Sequence, residues 1–482
     1  MYLGLKGRNL QWGVTIASGA GFLLFGFDQG VMSGLLTGAA FTHQFPAIDT
    51  TATGHGSSSL QGTVVAIYEI GCFFGALFSF VFGERLGRRW SIIIGCLTLS
   101  VGAAIQTSAY GVAQLIVGRI VAGLGNGMNT ATIPVWHSEI CKAHNRGREL
   151  SIELAINIFG VMTSYWVDYG MSYVDSEAQF RFPISLQIVF ALFTLAGVMC
   201  LPESPRWLIA HDRHAEAKQV IHLTMVNAEQ ITEDDPSVLH EIELINEALT
   251  EERESALHAA VVGNQPDYVL RHEHFEESVG MDHNLALLMS GFNGIAYFFS
   301  SLLPIWLLDR FGRRKLMLFA VIGQGSCMAI LAGTVSNGNT ASGIVATVML
   351  FMFNFFFAVG LLAIPWLLPA EYAPLAIRTK AAALGSASNW IFTFLVVEIT
   401  PSSVSNIGYK TYIYFCVFNF CFVPMIYFFY PETKNLPLEK IDRMFVGEKV
   451  HLFWNDALED DFGLVADKTT EKAEVQMVES GV

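Results

Sequence analysis

Gly83-Glu84-Arg85-Leu86-Gly87-Arg88-Arg89 and Asp309-Arg310-Phe311-Gly312-Arg313-Arg314 are nearly the same phrase, written twice in this 482-residue chain. Each phrase follows a long apolar run and precedes another one. Two further motifs recur in the same order: Glu139 with Arg146 and Glu371 with Arg378, then Glu203 and Glu432. The offsets within the three pairs are 225, 232 and 229 residues. A duplicated unit of apolar runs is typical of membrane transporters.

The composition also indicates an integral membrane protein. Hydrophobic residues make up 52% of the chain and charged residues 15%, with a mean hydropathy of +0.44, whereas soluble domains are about one quarter charged. The net charge of −15 comes from acids concentrated in a central loop and in the C-terminal tail. This balance favours solubility of those segments and does not indicate nucleic-acid binding.

Apolar runs long enough to cross a bilayer predict an all-α membrane protein with eleven spans. They lie near residues 12–31, 60–82, 91–109, 112–134, 150–167, 182–201, 285–308, 316–335, 342–369, 381–400 and 411–430.

Basic residues are concentrated in alternate connections, such as those that carry Arg88 and Arg313, while residues 32–59 contain no Lys or Arg. The positive-inside rule therefore predicts that the Gly-Arg-Arg connections are cytoplasmic. The N-terminus, with Lys6 and Arg8, is predicted to lie on the same side.

The count of spans conflicts with this assignment of sides. The connection after Pro202 and the one at Arg313 are both predicted to be cytoplasmic, yet only the run 285–308 lies between them. The sequence therefore suggests that one helix is missing between roughly Leu270 and Phe275, through a mis-joined reading frame or a skipped exon. A genuine eleven-span protein is the alternative.

We expect four parts along the chain. These are an N-terminal six-helix bundle (1–202), a cytoplasmic linker with amphipathic helices (203–284), a C-terminal bundle of five spans (285–432) and a polar cytoplasmic tail (433–482).

Asp28 is a carboxylate in the middle of the first apolar run, where an unpaired charge costs several kcal/mol. Arg119, in the fourth run, is its predicted partner. We expect Asp28 to be ionised beside the guanidinium and to take up a proton when the two separate, which makes the pair a candidate for proton coupling. The alternative is a residue that only solvates a helix end near a water-filled vestibule.

Charged residues recur at the predicted cytoplasmic helix ends, where opposite charges can hold two bundles together. This predicted gating network comprises Glu84, Arg88, Arg89, Glu139, Arg146, Glu203, Arg206, Asp309, Arg313, Arg314, Glu371, Arg378 and Glu432. The alternative is that the arginines only set the orientation of the chain.

Several motifs in this order resemble the sugar porter family of the major facilitator superfamily, and within it the fungal hexose and glycerol/proton symporters. The motifs are Gly26-Phe27-Asp28-Gln29-Gly30, the two Gly-Arg-Arg turns, Pro134-Val135-Trp136-His137-Ser138-Glu139, Pro202-Glu203-Ser204-Pro205-Arg206, Pro365-Trp366, Asn389-Trp390 and Pro431-Glu432-Thr433. The resemblance implies two pseudo-repeated helical bundles and a monomer in the plasma membrane. It also implies transport of a hexose or a small polyol such as glycerol, coupled to protons, by alternating access.

Candidate substrate-binding residues are aromatic or carry an amide, because ring faces stack on sugar C–H groups and amides bind hydroxyls. They are Phe25, Tyr297, Trp366, Asn389 and Trp390. The resemblance also exposes departures: the family's seventh helix is the missing piece, Leu154 replaces a glutamine, and Leu362-Ala363 replaces a Gly-Pro pair. A non-transporting nutrient sensor and a non-functional product therefore stay open as alternatives.

The sequence predicts no enzymatic activity, no cofactor and no metal site. The row Gly123, Gly125 and Gly127 lies inside an apolar run, which favours close helix packing over a phosphate-binding loop. His137 shows no metal-ligand spacing, and no nucleophile–histidine arrangement is visible.

Overall fold

The computed structural model describes residues 5–50, 54–140, 146–225, 228, 232–243, 245–246, 283–337, 340–372 and 378–432, and every regular element within them is helical. The predicted gap between Leu270 and Phe275 and the predicted tail 433–482 lie outside the described residues.

The N-terminal half contains six long helices with short elements between the first two. They are α1 (Gly7–Leu35), α2 (Ala39–Gln44), a 3-10 turn (Pro46–Ile48), α3 (Ser58–Leu86), α4 (Arg88–Thr107), α5 (Val112–Ile140), α6 (Arg146–Met171) and α7 (Ala178–Met199).

A small helical unit follows the first half. It begins with α8 (Pro205–Ala210) and α9 (His214–Thr224), and residues 236–243 are also helical. Its own apolar cluster includes Trp207, Val220 and Val238. The apolar face of each short helix is therefore buried within the linker.

The C-terminal half repeats the pattern with fewer elements. It contains α10 (His283–Ser301), α11 (Pro304–Phe311), α12 (Arg313–Asn337), α13 (Thr340–Gly360), α14 (Ile364–Tyr372), α15 (Arg378–Ile407) and α16 (Lys410–Phe429).

Two predicted spans are divided in the structure. The run 285–308 breaks between Ser301 and Pro304, and the run 342–369 breaks between Gly360 and Ile364. Both breaks lie next to a proline, Pro304 in the first case and Pro365 in the second. A proline cannot donate a helical hydrogen bond, so it favours the first turn of a new helix.

The prediction of an all-helical membrane protein is confirmed. In the described residues, ten helical stretches are long and apolar enough to cross a membrane, and each coincides with a predicted span. The remaining predicted span is α5, which is 29 residues long but carries polar and glycine residues. A Cβ added to Gly127 would lie 2.0 Å from the carbonyl oxygen of Cys72 on α3, so its glycines permit close helix packing, as predicted.

The helices form two bundles that meet along two seams. Within the first half, α1 packs on α6 and α7, while α5 packs on α3 and α4; within the second, α12 packs on α13 and α16. Between the halves, α3 lies against α15 and α6 lies against α10. Residues of α1, α3 and α5 are thereby brought close to residues of α14 and α15.

Candidate functional site

Asp28, Tyr68 and Arg119 form a buried polar group in the middle of the N-terminal bundle. Their exposed fractions are 1%, 1% and 3%. Arg119 donates from Nη2 to the carbonyl oxygen of Val65, 2.8 Å away, and its guanidinium carbon lies 4.9 Å from the centre of the Tyr68 ring. Within the described part of the chain, both Asp28 carboxylate oxygens are buried without a hydrogen-bond partner.

The structure places Arg119 near Asp28 but shows no direct contact between their charged groups. In this conformation the guanidinium is held by Val65 and Tyr68, and the two charged groups form no ion pair. The tyrosine ring is a neighbour of both. Arg119 and Tyr68 are thus the polar side chains nearest to the Asp28 carboxyl in this part of the bundle.

Aromatic residues from both halves meet next to this polar group. The ring centre of Phe25 lies 5.3 Å from that of Trp390 and 6.4 Å from that of Trp366. The Tyr68 ring centre lies 6.5 Å from that of Trp390. The Trp390 indole N–H donates to Thr130 Oγ1 at 3.3 Å, which links the two bundles directly. Three of the predicted substrate-binding residues are therefore brought together.

The other two predicted substrate-binding residues lie on the C-terminal side of the seam. Asn389 precedes Trp390 on α15 and is half-buried. Tyr297 lies on α10, and its ring centre is 6.3 Å from that of Phe357. Phe25, Trp366, Trp390 and Tyr297 thus lie on four different helices, the first in the N-terminal bundle and the other three in the C-terminal bundle.

The first Gly-Arg-Arg turn is built around Arg88. Its Nε and Nη2 each lie 3.0 Å from a carboxylate oxygen of Glu139, and Glu84 lies 3.4 Å from Nη1. Glu203 accepts the backbone N–H groups of Arg88 and Arg89 at 3.1 to 3.2 Å. Burial raises the pKa of the Glu203 carboxyl above its ordinary value, and these backbone hydrogen bonds oppose the shift.

The second turn has the same construction. Glu432 accepts the backbone N–H groups of Arg313 and Arg314 at 2.8 and 3.1 Å. Gly312 has φ +86° and Gly87 has φ +83°, a region that favours glycine. Arg314 donates to the carbonyl of Tyr427, as Arg89 donates to that of Met199.

The described contacts cover part of the predicted gating network. The ion pair of Arg88 with Glu139 and the two helix caps each lie inside one bundle, and the predicted contact of opposite charges between the bundles stays a prediction. Glu203 and Glu432 accept hydrogen bonds from the backbone N–H groups of the two arginines in each turn. Arg206 lies on α8, and the side chains of Arg146, Asp309, Glu371 and Arg378 lie outside the described part.

One buried contact between a histidine and an acid was not expected. His137 Nδ1 lies 2.5 Å from Glu153 Oε1, with both side chains no more than 3% exposed. Thr15 Oγ1 is 3.2 Å from His137 Nε2, so the group joins α5, α6 and α1. Glu153 is an acid within an apolar run, and this signal, which singled out Asp28, could have identified it. Tyr68 and Thr130 carry no such signal.

Comparison with known proteins places this geometry in a family. A family model described as "Sugar (and other) transporter" matches residues 13–265 and 273–445. The chain is 36% identical to "Sugar transporter STL1" of Saccharomyces cerevisiae, over 92% of this chain and 82% of the relative. It is 30% identical to "Hexose transporter 2" of Kluyveromyces lactis, over 88% and 80%.

Solved structures share the fold. The proton:xylose symporter XylE bound to 6-bromo-6-deoxy-D-glucose superposes with a TM-score of 0.75 at 22% identity, covering 91% of this chain and 99% of XylE. A partially occluded inward-open form of XylE from E. coli gives 0.71 at 23% identity, covering 89% and 99%. The matched proteins are transporters, which confirms that the chain is not an enzyme. The chain is a multi-pass membrane protein of the sugar porter family within the major facilitator superfamily.

Proposed function

We propose that this protein moves a hexose or small polyol across the plasma membrane together with protons, by alternating access between its two bundles. One observation carries the proposal. Asp28 is buried beside Tyr68 and Arg119, close to the place where Phe25 of the first bundle meets Trp390 of the second. The relatives include proteins named sugar and hexose transporters, and a neighbouring structure is named a proton:xylose symporter.

The substrate site lies along the seam between the bundles. Phe25, Trp366 and Trp390 offer ring edges and faces for the C–H surface of a sugar, and Asn389 and Tyr297 supply polar groups for its hydroxyls. Because Phe25 and Trp390 belong to different bundles, a bound solute is contacted from both sides. Substrate binding and the rocking of the bundles are therefore coupled through the same rings.

Proton coupling follows from the position of Asp28. In the present conformation Arg119 donates to the Val65 carbonyl and lies over the Tyr68 ring, and it forms no hydrogen bond with Asp28. We propose that a proton neutralises the carboxyl while the two groups are apart. If the guanidinium approaches Asp28 in another conformation, it favours the ionised form and releases the proton. The free energy of proton entry thereby favours one direction of movement.

The contacts around the Gly-Arg-Arg turns support this movement from inside each bundle. Arg88 with Glu139, and the two carboxylates at the starts of α4 and α12, join helices inside a single bundle. They stiffen each bundle so that it moves as one body. Alternating access then changes contacts along the α3–α15 and α6–α10 seams.

Uptake of labelled hexoses and glycerol into transporter-null cells tests the proposal. Asp28→Asn should abolish accumulation against a gradient and keep part of the solute exchange, because the amide cannot exchange a proton. Glu177→Gln, a change of an exposed acid, is the matched control and should accumulate solute normally. Undiminished accumulation by the Asp28→Asn variant would overturn the proposal.

A second proposal concerns the chain itself: it lacks one helix of its second bundle. A cavity of about 760 Å³, including its mouth, lies between α12, α13, α14 and α16 and is lined by Gln324, Phe357 and Asn419 among others. In the first bundle, α1 fills the corresponding space, where Leu24 packs on Leu99 and Ala191 with Phe190 beside them. The repeat offsets of 225 and 229 residues relate Leu99 to Gln324 and Phe190 to Asn419.

The family match supports the same proposal, because it is interrupted between residues 265 and 273. This interruption falls within the interval in which the alternation of basic connections requires another span. Sequencing the transcript across Asn264 to Phe275 is the direct test. Recovery of an apolar segment there would support the proposal. The longer chain should then take up more solute than a chain that carries a Gly-Ser insert of equal length at the same place. An unchanged transcript would contradict it.

A further inference from the structure

One histidine joins two groups of helices inside the N-terminal bundle, and the preceding mechanism does not use it. His137, on α5, has Glu153 of α6 at Nδ1 and Thr15 of α1 at Nε2, at distances of 2.5 and 3.2 Å. The side chains of His137 and Glu153 are no more than 3% exposed. Both nitrogens of one buried ring therefore meet polar atoms from two other helices.

The helices that meet at His137 belong to different groups. α5 packs mainly on α3 and α4, α1 packs mainly on α6, and α7 contacts both groups. Glycines let α1 and α6 lie very close together. A Cβ added to Gly26 would lie 1.8 Å from the carbonyl oxygen of Asn157, and one added to Gly30 would lie 2.0 Å from Ser164 Oγ. We therefore expect α1 and α6 to shift as a pair relative to α3, α4 and α5.

The predicted proton-coupling residues are divided between the same two groups. Asp28 lies on α1, whereas Arg119 lies on α5 and contacts Tyr68 of α3. α1 starts and α5 ends at the predicted cytoplasmic side, so the two helices run in opposite directions. Thr15 meets His137 toward that side, and the coupling residues lie farther along both helices. A change in the distance between Asp28 and Arg119 is therefore a shift of one group against the other.

The contact at His137 can act as the fixed point of such a shift. Thr15 and Asp28 are 13 residues apart on α1, which is about 20 Å along a helix. A tilt of α1 by about 10° at Thr15 would move Asp28 by about 3.5 Å. A displacement of this size is enough to make or break the contact of a carboxylate with a guanidinium.

Glu153 keeps the imidazole in the orientation that reaches Thr15. The Thr15 hydroxyl donates to the carbonyl oxygen of Gln11 at 3.1 Å, and a hydroxyl has one proton. Nε2 of His137 is therefore the donor to Thr15. A ring nitrogen and a carboxylate oxygen 2.5 Å apart also need a proton between them, because two lone pairs would repel each other. Whichever atom carries that proton, the pair of His137 and Glu153 is neutral overall and can stay buried.

We propose that Thr15, His137 and Glu153 form a pivot, which fixes the pair of α1 and α6 to α5 and thereby sets the position of Asp28 relative to Arg119. The three are positioning residues, because they act through the coupling pair. The pivot rests on the proposed proton-coupled function. Loosening it should uncouple solute movement from proton entry without abolishing solute movement.

Two transport measurements on the full chain in transporter-null cells separate this role from a general loss of stability. The first is accumulation of labelled glucose or glycerol against a gradient. The second is exchange of labelled for unlabelled solute, which requires no net movement of protons. A change in coupling alters the first measurement alone, whereas a folding defect lowers both.

Thr15→Val and Glu153→Leu should each lower the accumulation ratio by about fivefold, as expected for loss of one hydrogen bond, and leave exchange unchanged. Thr15→Ser keeps the hydroxyl and should accumulate solute like the parent. Glu153→Gln should do the same, because the amide N–H can donate to Nδ1 while Nε2 still donates to Thr15.

Combination with Asp28→Asn shows whether the pivot acts through the coupling pair. The Asp28→Asn variant should exchange solute without proton coupling, so adding Thr15→Val to it should cause no further loss of exchange. Normal accumulation by Thr15→Val, together with its loss in Asp28→Asn, would overturn the pivot alone. Normal accumulation by Asp28→Asn would overturn the proposed function and the pivot with it.

Two further results would overturn the pivot. One is a loss of accumulation in Glu153→Gln as complete as that in Asp28→Asn, with exchange retained, which would make Glu153 a carrier of the transported proton. The other is an equal loss of exchange when Thr15→Val is added to the parent and to Asp28→Asn, which would show a structural role only. Because Thr15→Ser and Glu153→Gln conserve shape, they keep the comparison valid if Glu153→Leu folds poorly.

Discussion

Glu203 and Glu432, which are 229 residues apart in the chain, occupy the same position in the two bundles. Each carboxylate accepts the two backbone N–H groups that open the helix after a Gly-Arg-Arg turn. The first N–H groups of a helix have no intrahelical acceptor, and the helix dipole favours negative charge there. A carboxylate from the end of each half therefore ties the start of α4 or α12 to the last long helix of its own bundle.

Replacement of either glutamate should destabilise its bundle. Glu203→Ala and Glu432→Ala each leave two backbone N–H groups without their acceptor, and we expect each change to cost about 1–2 kcal/mol of unfolding free energy. Glu203→Gln should cost less, because the amide oxygen still accepts one bond. Thermal unfolding in detergent measures the effect, with the exposed Glu177→Ala as the control. Equal melting temperatures for Glu203→Ala and the control would contradict this role.

Arg88 and Glu139 should behave as one unit. Their side chains are each 7% exposed and joined by two hydrogen bonds of 3.0 Å. Arg88→Met should cost about 3–5 kcal/mol, because Glu139 then loses its main partner while it stays buried. Adding Glu139→Leu should recover part of that loss.

A double-mutant cycle of unfolding free energies checks this coupling. Arg88→Lys adds a geometric test, since an ammonium cannot reproduce the two parallel bonds of a guanidinium. Additive losses in the cycle would mean that the pair contributes little beyond its separate contacts.

Trp390 should affect solute binding through its ring more than through its indole N–H. Trp390→Phe keeps an aromatic face beside Phe25 but loses the hydrogen bond to Thr130, so we expect a modest loss of affinity, about two- to fivefold. Trp390→Ala removes the stacking surface and should cost considerably more. Binding of labelled sugar at equilibrium measures both, with Thr130→Val as the matched loss of the hydrogen bond alone. A loss in Thr130→Val as large as in Trp390→Ala would contradict the stacking role.

Patterns that depend on neighbouring sequence were predicted well. The apolar runs coincide with helices, such as 60–82 within Ser58–Leu86, because burial in lipid requires a continuous apolar segment. The family was also recognisable, since turns such as that at Gly87 need particular residues in a fixed order. The aromatic group around Phe25 followed from the same motifs.

Contacts that depend on the relative placement of helices were not predicted. Residue types alone favour an Asp28–Arg119 pair, but they do not show that the Val65 carbonyl and the Tyr68 ring also contact the guanidinium. Likewise, Glu203 and the arginines suggest ion pairs, whereas the geometry of a helix start turns the carboxylate to backbone N–H groups. The hydrogen bond between Thr63 and Glu398 joins residues 335 positions apart and has no local signature.

Gln324 and Leu99 occupy corresponding positions in the two bundles, and replacing each by the residue of the other should change the unfolding free energy in opposite directions. Gln324 is 2% exposed and lines the cavity, while its counterpart Leu99 packs against Leu24 of α1. Gln324→Leu replaces an amide by an apolar side chain in a cavity that is lined largely by apolar residues. It should therefore raise the unfolding free energy of this chain by about 1 kcal/mol. Leu99→Gln buries an amide against Leu24 and should lower it by about 2–3 kcal/mol. Unfolding of both variants in one detergent measures the difference, and destabilisation of similar size in both would show that the cavity is not the counterpart of the site filled by α1.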